Sequence, residues 1–219
     1  MDISLFLNEI WNARGAIWDG FQMTVSISVL AIVSGTVLGL FVGLALVYAW
    51  GPVRFVVRVY VDFIRGTPVF VLVLASYYIL SGLGIQLTAF QAGVLAITAF
   101  CSTHVGEMIR GALAAIHRGQ IEAAMAIGLT FRQTFQYVLM PQALRQILPT
   151  WVNAATEMVK ASTLLSVIGV AELLLVTQQI ISRNFLSLEF YFLAGFIYFT
   201  IDFSIERLGR FVEKKIAYS

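Results

Sequence analysis

This sequence has few of the residues that build disulfides and metal sites. Its 219 residues include one cysteine, Cys101, and two histidines, His104 and His117. A single cysteine excludes an intrachain disulfide. One cysteine and two histidines are also too few for a structural zinc site. We therefore predict no metal site, and we interpret Cys101 and His104 as packing residues.

Charge is scarce as well. Charged residues make up 12% of the chain, whereas soluble domains carry about a quarter. The net charge is only +2, and the basic residues are spread through short segments, so we predict no binding to nucleic acid. The sequence also lacks a G-x-x-x-x-G-K-[ST] phosphate loop and a nucleophile elbow. We expect no catalytic residue, no cofactor and no nucleotide hydrolysis in this chain.

Apolar residues are abundant instead, at 59% of the chain with a mean hydropathy of +0.87. A helix that spans a bilayer needs about 20 mostly apolar residues. Five segments meet or approach this length, namely 21–50, 68–85, 90–109, 148–176 and 191–205. They lack the alternation of barrel strands. The sequence therefore predicts an all-α membrane protein with about five transmembrane helices.

The first apolar segment carries glycines at regular spacing. Gly35, Gly39 and Gly43 recur at every fourth position. A small residue at every fourth position lets two helices approach closely in a membrane. We predict that this face packs against another span.

The distribution of Lys and Arg predicts the orientation. One side of the predicted spans carries Arg54, Arg58, Arg65, Arg110, Arg118, Arg132, Arg145, Arg207, Arg210, Lys214 and Lys215, and the other only Arg14 and Arg183. Basic loops stay in the cytoplasm, so the N-terminus is expected outside and the C-terminus inside. Residues 1–18 are predicted as a periplasmic amphipathic segment on the membrane surface, 19–208 as the transmembrane domain, and 209–219 as a cytoplasmic tail.

The segment from Gly119 to Pro149 lies in a predicted cytoplasmic loop. Gly128 is placed to end one short helix in a left-handed turn. Thr130 and Gln133 have the spacing of a capping box, which begins a second short helix. Pro141 ends that second helix or opens the next one.

The first of these short helices has the features of a docking site. Ala123 and Ala124 leave room for a partner to approach the backbone, and Glu122 adds a fixed charge beside them. The alternative is an amphipathic helix that only anchors the loop at the membrane surface.

A polar stripe in the fourth segment is the candidate substrate path. Asn153, Thr156, Glu157 and Lys160 recur at helical spacing, and Lys160 is expected near mid-bilayer. Charges at that depth are costly and usually face a cavity or a partner. Either the stripe lines a polar path through the membrane, or Glu157 and Lys160 merely pair with each other.

Other charged residues are interpreted as structural. Glu107 and Arg110 are expected to pair. Asp202 is expected near the cytoplasmic side, paired with Arg207.

Four stretches resemble a known family. EAAMAIG, continuing to VLMP, resembles the EAA loop of ABC-importer permeases, with Met140 before Pro141 as a mild departure. DFIRGTPVFVLVL (62–74), GEMIRGAL (106–113) and KASTLLSVIGVAEL (160–173) resemble segments of polar amino acid permeases, in the family's order. The resemblance covers about residues 19–208 and indicates the histidine, glutamine, glutamate, arginine and opine branch of the binding-protein-dependent type I importers.

The resemblance implies a fold, partners and a location. The fold is the five-helix type I importer core, dimerised with a second permease subunit that is a paralogue or the chain itself. Glu122, Ala123, Ala124, Gly128 and Pro141 would form the coupling loop that docks on a dimer of cytoplasmic ATP-binding subunits, which would hold ATP and Mg. A periplasmic or surface binding protein would deliver a polar amino acid, or a derivative of one, to the permease in the cell inner membrane.

Other classes of protein make different predictions. An ion-coupled secondary transporter or a channel would need no docking loop, and five spans without an internal repeat fit it poorly. An exporter-type or assembly-type membrane subunit is a further alternative. An intramembrane enzyme would need a set of catalytic residues, and the sequence shows no convincing one.

Overall fold

The computed structural model describes residues 3–217, with side chains for residues 4–215, and this part of the chain is helical without strands. The helices are α1 (Ile3–Tyr48), α2 (Gly51–Gly66), α3 (Val69–Leu74), α4 (Leu80–Gly82), α5 (Ala89–Ala115), α6 (Arg118–Ala126), α7 (Phe131–Thr134), α8 (Met140–Ala161), α9 (Leu173–Asn184) and α10 (Ser187–Ala217). Two π-helical turns, Ala75–Ile79 and Phe135–Leu139, join α3 to α4 and α7 to α8, and a 3₁₀ segment, Ser162–Ile168, extends α8.

The number of spans agrees with the sequence. Within the described residues, α1, α5 and α10 are each long and apolar enough to cross a membrane. Two bent pairs pass the same test together: α2 with α3–α4, at an angle of 108°, and α7–α8 with α9, at 52°. If each bent pair counts as one span, the total is five. The predicted all-α membrane fold is confirmed.

The core is built on the contact between α1 and α5, and the three glycines of α1 lie in it. A Cβ added at Gly35, Gly39 or Gly43 would lie 2.5, 2.6 or 2.7 Å from the Cβ of Cys101, Val105 or Ile109, respectively. The predicted close packing is therefore confirmed. Cys101 is buried at this contact, as expected of a packing residue.

Aromatic contacts show which helix ends lie together. The ring of Tyr48, at the end of α1, contacts the rings of Phe131 and Phe135 with centroid distances of 5.5 and 6.1 Å. We call this end of the bundle the α6 end, since α6 immediately precedes α7. At the opposite end, the ring of Phe6 meets that of Phe190 at 5.5 Å.

Two predicted boundaries do not coincide with helix ends. Residues 3–18 belong to the same unbroken helix as the first span. The predicted tail is likewise helical through Ala217 as part of α10. Residues 1, 2, 218 and 219 of these two segments lie outside the described residues. Local hydropathy marks where apolar sequence begins, but a helix continues through polar residues wherever its backbone hydrogen bonds are kept.

Two further differences concern bends. The predicted fourth span, 148–176, is interrupted where Gly169 adopts φ 85° after the 3₁₀ segment. Residues 51–66, which lie between the first two predicted spans, form the helix α2 with Val61 and Ile64 buried. The apolar residues of α2 are spread among charged ones, so its mean hydropathy did not reveal a packed helix.

Candidate functional site

The turn after α6 has the predicted geometry. Gly128 has φ 81°. The N–H of Leu129 donates to the Ala124 carbonyl at 3.0 Å, and the N–H of Gly128 donates to the Met125 carbonyl at 3.0 Å. This pair of bonds is a Schellman motif, which closes the carbonyl end of a helix. The left-handed turn is confirmed.

The start of α7 is also as predicted. The N–H of Gln133 donates to Thr130 Oγ1 at 3.4 Å, and the N–H of Thr130 donates to Gln133 Oε1 at 2.9 Å. These reciprocal bonds form the capping box. With helix ends closed on both sides of Gly128, the turn between α6 and α7 has a defined shape.

Pro141 does not end a helix. It lies in the first turn of α8, as in the alternative prediction that it opens the next helix. α7, the π-turn Phe135–Leu139 and α8 follow one another without a break, so the predicted second short helix is the first part of a long one. Proline lacks an N–H and crowds the preceding turn. The wider π-turn accommodates it: the N–H of Met140 bonds to the Phe135 carbonyl, and the side-chain amide of Gln142 donates to the Val138 carbonyl at 2.9 Å.

The surface of α6 differs from the predicted one at a single alanine. Glu122 and Ala123 are exposed, as a docking site requires. Ala124 is only 4% exposed, so its small side chain lets α6 pack on the core rather than contact a partner. Met125 and Ile127, at 61% and 78% exposure, are apolar residues at the surface that the sequence interpretation did not single out as contacts. The sequence did contain a signal for these two contacts, because large apolar residues are unexpected in an otherwise polar connecting segment.

The polar stripe on α8 is divided by the structure. Asn153, Glu157 and Lys160 are exposed on one side of the helix. Thr156 is instead 7% exposed and donates to the Asn153 carbonyl at 2.8 Å. Thr156 therefore belongs to the packed face of α8, and the exposed stripe has three members.

The two charges of the stripe do not pair with each other. Lys160 Nζ lies 3.4 Å from Asp202 Oδ2 on α10. No ion pair involves Glu157 among residues 4–215. The internal-pair interpretation is therefore wrong. Asp202 also does not pair with Arg207, whose guanidinium lies 5.2 Å from the centroid of the Phe203 ring.

A carboxylate held by two arginines joins α2 to α5. Glu107 accepts from Arg110 Nε at 2.9 Å and from Arg110 Nη2 at 2.7 Å, as predicted. Its other oxygen accepts from Arg58 Nη1 of α2 at 2.6 Å. The sequence interpretation missed Arg58, because the spacing along the chain does not show that α2 folds back onto α5.

A buried carboxylate fixes the bend between α8 and α9. Glu172 is fully buried. It accepts from the N–H groups of Leu174 and Leu175 at 3.0 and 2.8 Å and from the Tyr198 hydroxyl of α10 at 2.6 Å. Thr24 of α1 accepts from the N–H of Leu173 at 3.1 Å. The junction thus ties α9 to α1 and α10. The sequence signal for it was a glutamate directly before an apolar run, a position where its side chain can cap a helix.

A helical bundle with up to five spans, a closed turn between α6 and α7, and a charged stripe exposed on α8 fit a subunit that moves a solute across a membrane. The family described as "Binding-protein-dependent transport system inner membrane component" matches residues 35–218. The glutamine transport system permease protein GlnP of Escherichia coli (strain K12) is 35% identical over 211 residues, covering 95% of this chain and 96% of GlnP. The arginine transport system permease protein ArtQ of Bacillus subtilis (strain 168) is 30% identical over 201 residues, covering 91% and 92%.

Solved structures agree with the sequence comparisons. A crystal structure of an amino acid ABC transporter with histidines matches with a TM-score of 0.88 and 34% identity, covering 96% of this chain and 98% of that one. The MetNI methionine ABC transporter matches with a TM-score of 0.80 at 20% identity, which supports the fold. The chain belongs to the family of binding-protein-dependent transport system inner membrane components, as a permease subunit of an amino-acid ABC importer. The alternative of an ion-coupled transporter or channel working without an ATPase is thereby wrong.

Proposed function

We propose that α6 couples this permease to ATP hydrolysis on a separate cytoplasmic subunit. The observation that carries the proposal is the turn at Gly128, closed on both sides by hydrogen bonds, beside the exposed Glu122, Met125 and Ile127. A rigid element with one charge and two apolar side chains suits a groove on another protein. The short links Ile116–His117 and Ile127–Thr130 would pass a displacement of α6 to α5 and α8.

Other partners follow from membership of the family. The described family depends on binding proteins, so we propose that a periplasmic or surface binding protein delivers the amino acid. ATP and Mg would be held by a dimer of ATP-binding subunits, and this chain would need no cofactor of its own. A second permease subunit, paralogous or identical, would complete the path across the inner membrane. The excess of Lys and Arg at the α6 end supports a cytoplasmic location for that end.

We further propose that the exposed stripe of Asn153, Glu157 and Lys160 lines the path. Charged side chains at mid-span are costly in lipid, so exposed ones face a cavity or a second subunit. Thr156 would support the stripe from the packed face. A polar amino acid carries an ammonium and a carboxylate, for which charged and amide side chains are suitable partners.

Charge reversal at Glu122 tests the coupling role. We expect Glu122→Lys to leave the protein in the membrane but to weaken co-purification of the ATPase and to slow uptake into vesicles, because an attractive contact becomes repulsive. Gly128→Val should have the same effect, because a β-branched residue is disfavoured at φ 81°.

The matched control is Glu213→Lys, the same charge reversal on α10. It should retain the ATPase and uptake. Normal co-purification and uptake by Glu122→Lys and Gly128→Val would show that α6 is not the docking element.

A further inference from the structure

We propose that Asp202 sets the charge preference of the translocation path by holding Lys160, which leaves Glu157 as the unpaired charge of the exposed stripe. The proposal rests on the stripe being part of the path. It assigns to Asp202 a positioning role: the residue acts on the substrate through Lys160 rather than by contact.

The packing of α8 against α10 places the two side chains opposite each other. The two helices run antiparallel, with Lys160 beside Asp202 and Val152 beside Gly209. A Cβ at Gly209 would collide with the side chain of Val152. The close approach at Gly209 fixes the register, so Asp202 meets Lys160 as a consequence of how the helices pack.

Burial distinguishes the two partners. The Asp202 side chain is 15% exposed and that of Lys160 is 65% exposed. The Oδ1 atom of Asp202 is buried without a hydrogen-bond partner among the described residues. A carboxylate in these surroundings needs a cation, and Lys160 is the one within reach. Asp202 is thus the fixed partner, and Lys160 is the accessible group whose charge it neutralises.

The neighbouring charges leave the stripe with a net negative charge. Glu206, one turn beyond Asp202, pairs with Arg210 at 3.3 Å and contributes no net charge. Lys160 and Asp202 cancel. Glu157 is exposed and forms no ion pair within the part of the chain that the structure describes. The stripe therefore presents one uncompensated carboxylate to the path.

An uncompensated carboxylate favours one class of substrate. It attracts an ammonium or guanidinium group, whereas the substrate carboxylate finds its natural partner, Lys160, already engaged. We therefore infer a preference for amino acids with a net positive charge over neutral ones, and for neutral ones over anionic ones. A solvent-accessible ion pair of this kind changes affinity by about two- to fivefold.

Direct binding to the permease–ATPase complex tests this preference without the binding protein. The probes are radiolabelled L-arginine, L-glutamine and L-glutamate, added to the complex in nanodiscs. The wild type should bind arginine best and glutamate worst. Asp202→Asn should free the charge of Lys160 and lower the ratio of arginine affinity to glutamate affinity by about two- to fivefold.

A second variant separates positioning from structure. Asp202→Asn combined with Lys160→Met removes the whole pair but keeps Glu157, so it should restore the wild-type preference. Asp19→Asn, the same change at an exposed site on α1, should alter nothing. If Asp202 only holds α8 to α10, both Asp202 variants should lose affinity for all three probes alike.

Several results would overturn the proposal. The first is a substrate preference that is unchanged in Asp202→Asn, and the second is a double variant with the same preference as Asp202→Asn. The third is an equal loss of affinity for all three probes, and the fourth is no binding of any probe by the wild type. Recovery of the ATPase is measured in each preparation. Failure of the wild type to retain its ATPase would contradict the coupling role of α6, whereas an unchanged preference in a complex that retains it contradicts only the role of Asp202.

Discussion

An alanine at Gly39 is expected to force α1 and α5 apart. The added Cβ would lie 2.6 Å from Val105 Cβ and 2.8 Å from the Ser102 carbonyl oxygen. Ordinary contacts of a Cβ begin at about 3.4 Å. Both atoms are fixed to the backbone of α5, so a change of rotamer cannot relieve the overlap. The helices must separate by the better part of an ångström, and the neighbouring contacts at Gly35 and Gly43 loosen as well.

Two opposing terms set the size of the effect. Overpacking a tight contact costs about 1–3 kcal/mol, and we expect the upper half of that range because the overlap is with backbone-fixed atoms. Alanine is favoured over glycine within a helix by about 0.8–1 kcal/mol. The net loss of unfolding free energy is therefore about 1–2 kcal/mol. At about 2–4 °C per kcal/mol for a chain of this size, Tm should fall by about 2–8 °C.

The control is Gly15→Ala in the same helix. A Cβ at Gly15 meets nothing within 4 Å, so only the gain in helix propensity applies and Tm should stay level or rise. The Tm of each purified variant in detergent is measured by thermal unfolding, with size-exclusion chromatography to monitor the loss of folded protein. If Gly39→Ala were as stable as Gly15→Ala, the close contact between α1 and α5 could not be the basis of the core.

The remaining predictions concern the buried junction and the orientation. Glu172 Oε2 accepts from Tyr198 and Leu174, and Oε1 accepts from Leu175. Glu172→Gln has one oxygen for these two positions, so thermal unfolding should show a loss of about 1–3 kcal/mol. An equal stability for Glu172→Gln and the control Glu189→Gln would contradict the role of the junction. In a Cys101-free background, a cysteine in the segment 81–86 or at Ser187 should react with an impermeant thiol reagent from outside, and one at Gly119 only after the membrane is opened. The reverse pattern of labelling would invert the proposed orientation.

The sequence alone determined the features that depend on short-range pattern. The helical class and the number of spans follow from apolar runs, because a bilayer admits only segments that satisfy their own backbone hydrogen bonds. The turn at Gly128 and the capping box of Thr130 and Gln133 follow from bonds within a few residues. The glycine spacing of α1 predicted a close contact, although it did not identify α5 as the partner.

Tertiary structure decided which charges meet. Spacing along the chain suggested that Lys160 pairs with Glu157 and that Asp202 pairs with Arg207. In the structure Lys160 pairs with Asp202, because the fit of Val152 to Gly209 sets the register of α8 against α10. Packing also decided that Arg58 of α2 bonds to Glu107 of α5, and that Ala124 faces the core rather than the surface. Sequence spacing orders the residues of one helix around its axis, but the face that meets a neighbour depends on the packing of both helices.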